Sequence, residues 1–245
     1  KPTLLSSAHA EGEYFALCEG DDFWVDENKL ANQYKLALEH KAGLVFSSCF
    51  RLSEYKLWIS HEYTKVEHNE VDVINANMRF APTASYFFPK AVINNLPDWF
   101  SSEAPFGDFF IELYSNKSGV LVYYDNPSAL NRVQAKGSWS RSNKNDITGE
   151  RAIYQTTAFV SCLKMMKKDC FFERCDFSFL LFNSFYGMAL GYLRKKEFSL
   201  FLNAMKEAAS YNKKDNKMFV LLSKLKQFPR LCRLLHLTAM KFKKV

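Results

Sequence analysis

The chain has 245 residues, 48% of them apolar and 24% charged, enough for one large domain or two small ones and too apolar for a disordered chain. Nine glycines and 16% aromatic residues exclude collagen-like and low-complexity classes. The net charge of +7 is unevenly spread, with 12 Lys and Arg against 18 Asp and Glu in residues 1–140, and 21 against 8 in 141–245.

In chain order, EYFALC (13–18) is apolar almost throughout, which predicts a strand buried on both faces of a parallel sheet. Asp26 is placed to cap a following helix. Leu30, Tyr34 and Leu38 recur at i, i+4, i+8 as its buried stripe, and Gly43 is expected to end it. LVFSSCF (44–50) reads as the next strand, 51–81 as loop and edge structure, and TASYFF (83–88) as a short strand between prolines. Asp108 heads a short helix with Phe110, Leu113 and Tyr114 inward; Gly119 stops it and VLVYYD (120–125) is a further strand. Strands and helices alternating in this way give an α/β layout.

Beyond a boundary near 141–147 the pattern is helical only. Ile153, Val160 and Leu163 share one face; Phe198, Phe201, Leu202 and Met205 share another. Pro229 separates two last helices, 217–228 and 230–243. The uncharged run 177–193 is at the lower limit of a membrane span, and its Asn, Ser and Gly residues favour a buried helix instead. The basic second half suits an anionic membrane surface or a solvated helix face; no nucleic-acid-binding motif is present, and no nucleic-acid partner is expected. Six cysteines without zinc-type spacing, several inside apolar runs, fit a reducing cytoplasm. Lipid contact through the tail would make the protein peripheral at the inner face of the cytoplasmic membrane.

Chemistry concentrates in CEGDDFWVDENKLANQ (18–33), where Glu19, Asp21 and Asp22 crowd the end of an apolar strand. Ligands of α/β sheets lie beyond the carboxyl ends of strands, and Gly20 is expected to allow the turn that brings the acids together. The residues alone leave two readings open. One is a Mg²⁺ or Mn²⁺ ion completed by water and phosphate oxygens; the other is an acidic loop feeding a helix cap.

EGEYFALCEGDDFWVDENKLANQ resembles the family 2 glycosyltransferases of the GT-A fold: Gly12, Glu13, Tyr14, Glu19, Gly20, Asp21, Asp22, Trp24, Lys29, Leu30 and Gln33 match that family's pattern in order and spacing. GDFFIELYSNKSGVLVYYDNPSALNRVQAKGSWS resembles its second signature, so the likeness spans about residues 8–140. It implies a GT-A-like mixed sheet with flanking helices over residues 1–142, lacking the N-terminal portion that grips the nucleotide, followed by a basic helical region over 143–245. It further implies inverting transfer from a nucleotide-sugar donor to a glycan or lipid-linked acceptor, in surface polysaccharide or glycolipid synthesis.

Carried over residue by residue, Asp21 and Asp22 hold the divalent cation, Asp22 directly. Asp108 is the general base, with a simple helix cap as its alternative. Glu19, Asp21, Arg132 and Gln134 face the donor. Trp24, Thr83, Ser85 and Trp139 lie on the acceptor side, both tryptophans being equally at home in a core. Asn131 and Gln134 stand where the family commonly has Tyr and His, a departure that weakens the case for tight metal binding. With no nucleotide-gripping half before Lys1, the chain is expected to be an incomplete catalytic domain; the alternative is a non-catalytic relic or interaction module of glycosyltransferase ancestry.

Overall fold

The structure, a computed structural model, describes residues 2–138, 141, 149–211 and 216–242. It divides into two compact units, Lys1–Arg141 and Ser142–Val245. The first runs α1 (Pro2–His9), β1 (Tyr14–Ala16), β2 (Phe23–Trp24), α2 (Lys29–His40), β3 (Ala42–Leu52), β4 (Leu57–Ser60), β5 (Glu67–His68), α3 (Glu70–Asn75), a 3₁₀ turn (Thr83–Ser85), β6 (Phe87–Pro89), α4 (Ala91–Asn94), α5 (Trp99–Ser102), α6 (Asp108–Ser118) and β7 (Val120–Arg132).

The strands form one seven-stranded sheet in the order β1-β6-β3-β7-β2, with β4 added to β3 and β5 to β7. Only β3 and β7 pair in parallel; the remaining pairs are antiparallel. This is the mixed, GT-A-like α/β sheet that the resemblance implies. Its centre is β3, buried continuously from Ala42 to Cys49 because α2 and α6 both pack on it.

Several local expectations are corrected. EYFALC is not a doubly buried parallel strand: only Tyr14–Ala16 is extended, on the outer edge of the sheet and antiparallel to β6. TASYFF is half 3₁₀ turn, half strand. Gly43 does not end α2; Lys41 does, in a left-handed conformation whose N–H donates back to the last carbonyls of the helix. Gly43 and Gly119 are needed instead for close approach. A Cβ on Gly43 would fall 1.8 Å from the Ser115 carbonyl oxygen, and one on Gly119 2.1 Å from that of Lys41.

The buried stripe of α2 is also displaced by one position. Leu30, Tyr34 and Leu38 are 44%, 45% and 54% exposed, while Lys29, Gln33 and Ala37 face inward. Apolarity alone selects the wrong stripe, because the polar pair is satisfied internally. Lys29 Nζ donates to Gln33 Oε1 at 2.6 Å and sits 4.7 Å from the centre of the Trp24 ring; Gln33 Nε2 donates to the Ser85 carbonyl at 2.8 Å. Burial pulls the Lys29 ammonium down to about 8.

The second unit contains α7 (Glu150–Met166), α8 (Ser178–Lys195), α9 (Phe198–Ser210), α10 (Lys217–Lys224) and α11 (Pro229–Phe242). Its core joins Phe182, Tyr186, Ala189, Phe201, Met205, Phe219, Leu222 and Cys232. The uncharged run 177–193 therefore forms most of a packed helix, buried at Leu180, Phe182, Tyr186, Ala189 and Leu193, and no helix among the described residues is long and apolar enough to cross a membrane. Leu202, expected inward, is exposed; Ala204 and Ala208 complete that face of α9. Pro229 opens α11 as its first residue, where its missing N–H costs nothing.

The displaced stripe gives a stability prediction. Gln33→Leu strips the buried ammonium of its acceptor and should cost about 1–3 kcal/mol, whereas Leu38→Ser on the exposed stripe should stay within about 0.5 kcal/mol. Urea unfolding of the two variants measures the difference; equal losses would restore the apolar stripe as the packed face.

Candidate active site

Four chain segments meet at the end of β1. Glu19 to Asp22 form a tight turn closed by the Asp22 N–H donating to the Glu19 carbonyl at 2.9 Å. Gly20 is not needed for its conformational freedom there: it has no positive φ, and a Cβ on it would meet nothing. β2 then pairs with β7, Phe23 opposite Leu130 and Trp24 opposite Ala129, which lays Asp22 beside the last residues of β7.

Asn131 Nδ2 donates to both Asp22 carboxylate oxygens, at 3.1 and 2.9 Å, and the Arg132 N–H donates to Oδ1 at 3.0 Å. The Arg132 Nε donates to the Asp21 carbonyl. These donors lower the Asp22 pKa, but burial, with the Asp21 charge added, outweighs them and leaves it raised. Glu19 shows the crowding most clearly. Burial first, then the charges of Asp22, Asp108 and Asp21, push it up to about 7, although its accessible face lets water screen part of the repulsion. The acidic turn and Asp108, far apart in sequence, thus share one electrostatic neighbourhood.

Asp108 is the first residue of α6, after Gly107 at the cap position, and its Oδ1 accepts the Phe109 N–H at 2.9 Å. It is therefore inside the first turn, not the cap, where the helix dipole favours its anion. One turn on, Glu112 is fully buried, a residue type that apolar patterning passes over. Its Oε1 accepts the Tyr86 hydroxyl at 2.5 Å and the Ala81 N–H at 3.1 Å, tying the helix that carries Asp108 to the segment carrying Thr83. Burial, then the Asp108 charge, raises the Glu112 carboxyl well above the ordinary range, which favours its neutral form.

The remaining expected residues fall as follows. The Trp24 indole N–H donates to the carbonyls of Leu17, at 3.2 Å, and Ala84, at 3.0 Å, so it braces the end of β1 against the 3₁₀ turn. Ser85 is fully buried; its hydroxyl donates to the Pro82 carbonyl at 2.7 Å and accepts the Ser47 N–H at 3.2 Å, so it fastens the turn and offers no surface to an acceptor. Thr83 keeps partial exposure. Gln134 is exposed, with a left-handed φ of 59°. Trp139 lies outside the described residues.

Arg51 was not singled out from sequence. In the β3–β7 register it stands opposite Asn131, the residue that holds Asp22. Its Nε is buried and has no hydrogen-bond partner among the described residues. Its charge, added to burial, holds His61 down at about 4 and therefore neutral.

Among the described residues, no three His, Cys, Asp or Glu side chains converge as they would in an all-protein metal cage. Asp22 Oδ2 accepts only one amide and keeps a lone pair, and Asp21 is beside it. This donor set fits a hard divalent ion that takes its other positions from water and phosphate oxygens, and does not fit a resident structural metal.

Glu19 supplies a test of the crowding. A folded-state pKa raised from 4.5 to about 7 means that its contribution to stability is complete below about 4.5 and is lost as pH rises through about 7. Glu19→Gln should therefore melt higher than the parent above about pH 7 and converge with it below about pH 4.5. Asp108→Asn should lower the Glu19 midpoint in a carboxyl-carbon NMR titration. An unmoved midpoint would separate Asp108 from the acidic turn.

No protein-family model matches the chain, and no curated protein matches it. Among solved structures it is similar to residues 1–349 of Staphylococcus aureus TarS in complex with UDP-GlcNAc, at 10% identity and a TM-score of 0.44, covering 86% of this chain and 71% of that one. It is also similar to S. aureus TarS at 12% identity and a TM-score of 0.49, covering 95% of this chain and 40% of that one. No residue role or ligand is carried over from these proteins.

Proposed function

We propose that the first unit carries the acceptor-side and metal-binding part of an inverting glycosyltransferase, which moves a sugar from a nucleotide-sugar donor to a hydroxyl of a glycan or lipid-linked acceptor. Such a reaction belongs in surface polysaccharide or glycolipid synthesis. The observation that supports this most is the shared electrostatic neighbourhood of Glu19, Asp21, Asp22 and Asp108, with Arg132 beside it. Four carboxylates at one sheet end repel one another, and a bound cation with a phosphate ligand relieves that repulsion. The motif resemblance over residues 8–140 supports the same reading.

In this reading Asp22, fixed by Asn131 and the Arg132 amide, and Asp21 hold a Mg²⁺ or Mn²⁺ ion. When bound, the ion acts as a Lewis acid toward the leaving nucleoside diphosphate. Arg132 neutralises phosphate oxygens. Asp108 takes the proton of the attacking hydroxyl as the new glycosidic bond forms and the bond to the diphosphate breaks. Glu112, held neutral, keeps the Asp108 helix in register with the Thr83 segment and adds no further charge.

One observation favours a second reading. The Asp22 carboxylate already has Asn131 and the Arg132 amide as partners, so protein donors satisfy part of what a cation would, as in a non-catalytic interaction module of the same ancestry.

The test uses the polypeptide as isolated from its source. Binding of uridine and other nucleoside diphosphate sugars is followed by calorimetry with and without Mn²⁺, and transfer by product release. Asp108→Asn should leave donor affinity intact and lower kcat by about 10²–10⁴. Arg132→Met should weaken donor binding by about tenfold or more, the scale of one charged hydrogen bond. No donor binding with either ion would favour the interaction module.

A further inference from the structure

The helical unit carries a second, unrelated surface. Residues 216–245 contain eight Lys and Arg and no Asp or Glu. Within them α10, a turn closed by the Phe228 N–H donating to the Leu225 carbonyl at 2.8 Å, and α11 form one segment. Its inner side is fixed: the Asn216 side chain accepts the Phe219 N–H at 2.9 Å to cap α10, the Cys232 thiol reaches the Leu225 carbonyl at 3.2 Å, and Phe219, Leu222, Cys232 and His236 are buried. The outer side is apolar where solvent would favour polar residues. Phe228, Leu231 and Leu234 are 59%, 43% and 62% exposed, the last two one helical turn apart on α11 and Phe228 at its entry. Lys224, Lys226 and Arg230 surround them, all exposed. An open groove of about 410 Å³, lined by Phe198, Gln227, Phe228, Pro229, Arg230 and Leu231, lies at the same turn.

We infer that this turn and the start of α11 dock on an anionic phospholipid surface, with Phe228, Leu231 and Leu234 entering the boundary between headgroups and acyl chains and Lys224, Lys226 and Arg230 meeting lipid phosphates. The charge complementarity is one-sided, since no carboxylate in the segment offsets its cations. A cluster of cations alone would suit any polyanion. An exposed apolar patch inside a basic rim suits an interface that is apolar below and anionic above. Nucleic acid offers phosphates but no apolar layer for Phe228 and Leu234. This inference stands apart from the sugar-transfer reading and needs no donor, metal or turnover.

The experiment uses the full chain and flotation with vesicles of phosphatidylcholine, alone or mixed with phosphatidylglycerol, at low and high salt. Binding is expected only to the anionic vesicles and to weaken with salt. Neutralising Lys224, Lys226 and Arg230 to Gln should weaken it by roughly a hundredfold, about fivefold per charge. Phe228→Ser with Leu234→Ser should weaken it by at least about tenfold, with far-UV circular dichroism checking that the helices persist. Phe228→Trp, which keeps the apolar patch, should shift the emission of its new indole to the blue on anionic vesicles. Absence of vesicle binding, binding unchanged by the double serine variant, or an unshifted indole emission from the bound Phe228→Trp variant would each overturn the inference. So would an RNA oligonucleotide that binds equally to the parent and the double serine variant and displaces the protein from vesicles.

Discussion

Backbone segments approach too closely for a Cβ where β3 and β7 begin, and the geometry of the site follows from that register. Gly43 lies against the end of α6 and Gly119 against the end of α2, so the two strands start side by side with no room for a methyl group at either position. From that origin the parallel register runs to the far end of both strands, with shifts on the way, and sets Arg51 opposite Asn131. The short β2 then adds to the outer side of β7 and delivers Asp22 to the Asn131 amide. A fault at the glycine end would be transmitted along both strands to the carboxylates.

The opposite end of that register concentrates unfavourable terms. Glu19 is pushed up to about 7, burial raises the Glu112 carboxyl well above the ordinary range, Lys29 is buried with one side-chain acceptor and a ring, and the Arg51 Nε lacks a partner among the described residues. Each is costly in isolation. Gathered within one end of one sheet, they are the pattern expected where a site has been arranged for a ligand that balances the charge.

The turn at Glu19–Asp22 and the place of Asp108 at the start of α6 were legible in the sequence, because both lie in compact local motifs. The central strand was legible in LVFSSCF, a short run of apolar and small residues. What escaped was set by distant partners. The inward face of α2 is polar because Gln33 finds the Ser85 carbonyl, fifty-two residues away, and no local periodicity encodes that partner. Asn131 read as a departure from a pattern, yet it is the residue that orients Asp22. Arg51 and Glu112 carried no signal, their importance coming from register and burial. Gly20 was read as the residue that allows the turn, and the turn does not draw on its conformational freedom.

That last point has a consequence for how the acidic turn can change. The turn closes through backbone atoms and asks nothing of the side chain at position 20, so folding and chemistry are separable there. A Cβ at this position meets no other atom of the sheet, so a ligand bound at the turn would be what limits the side chain there. Tolerance at this one residue is a direct gauge of how closely a ligand approaches the backbone.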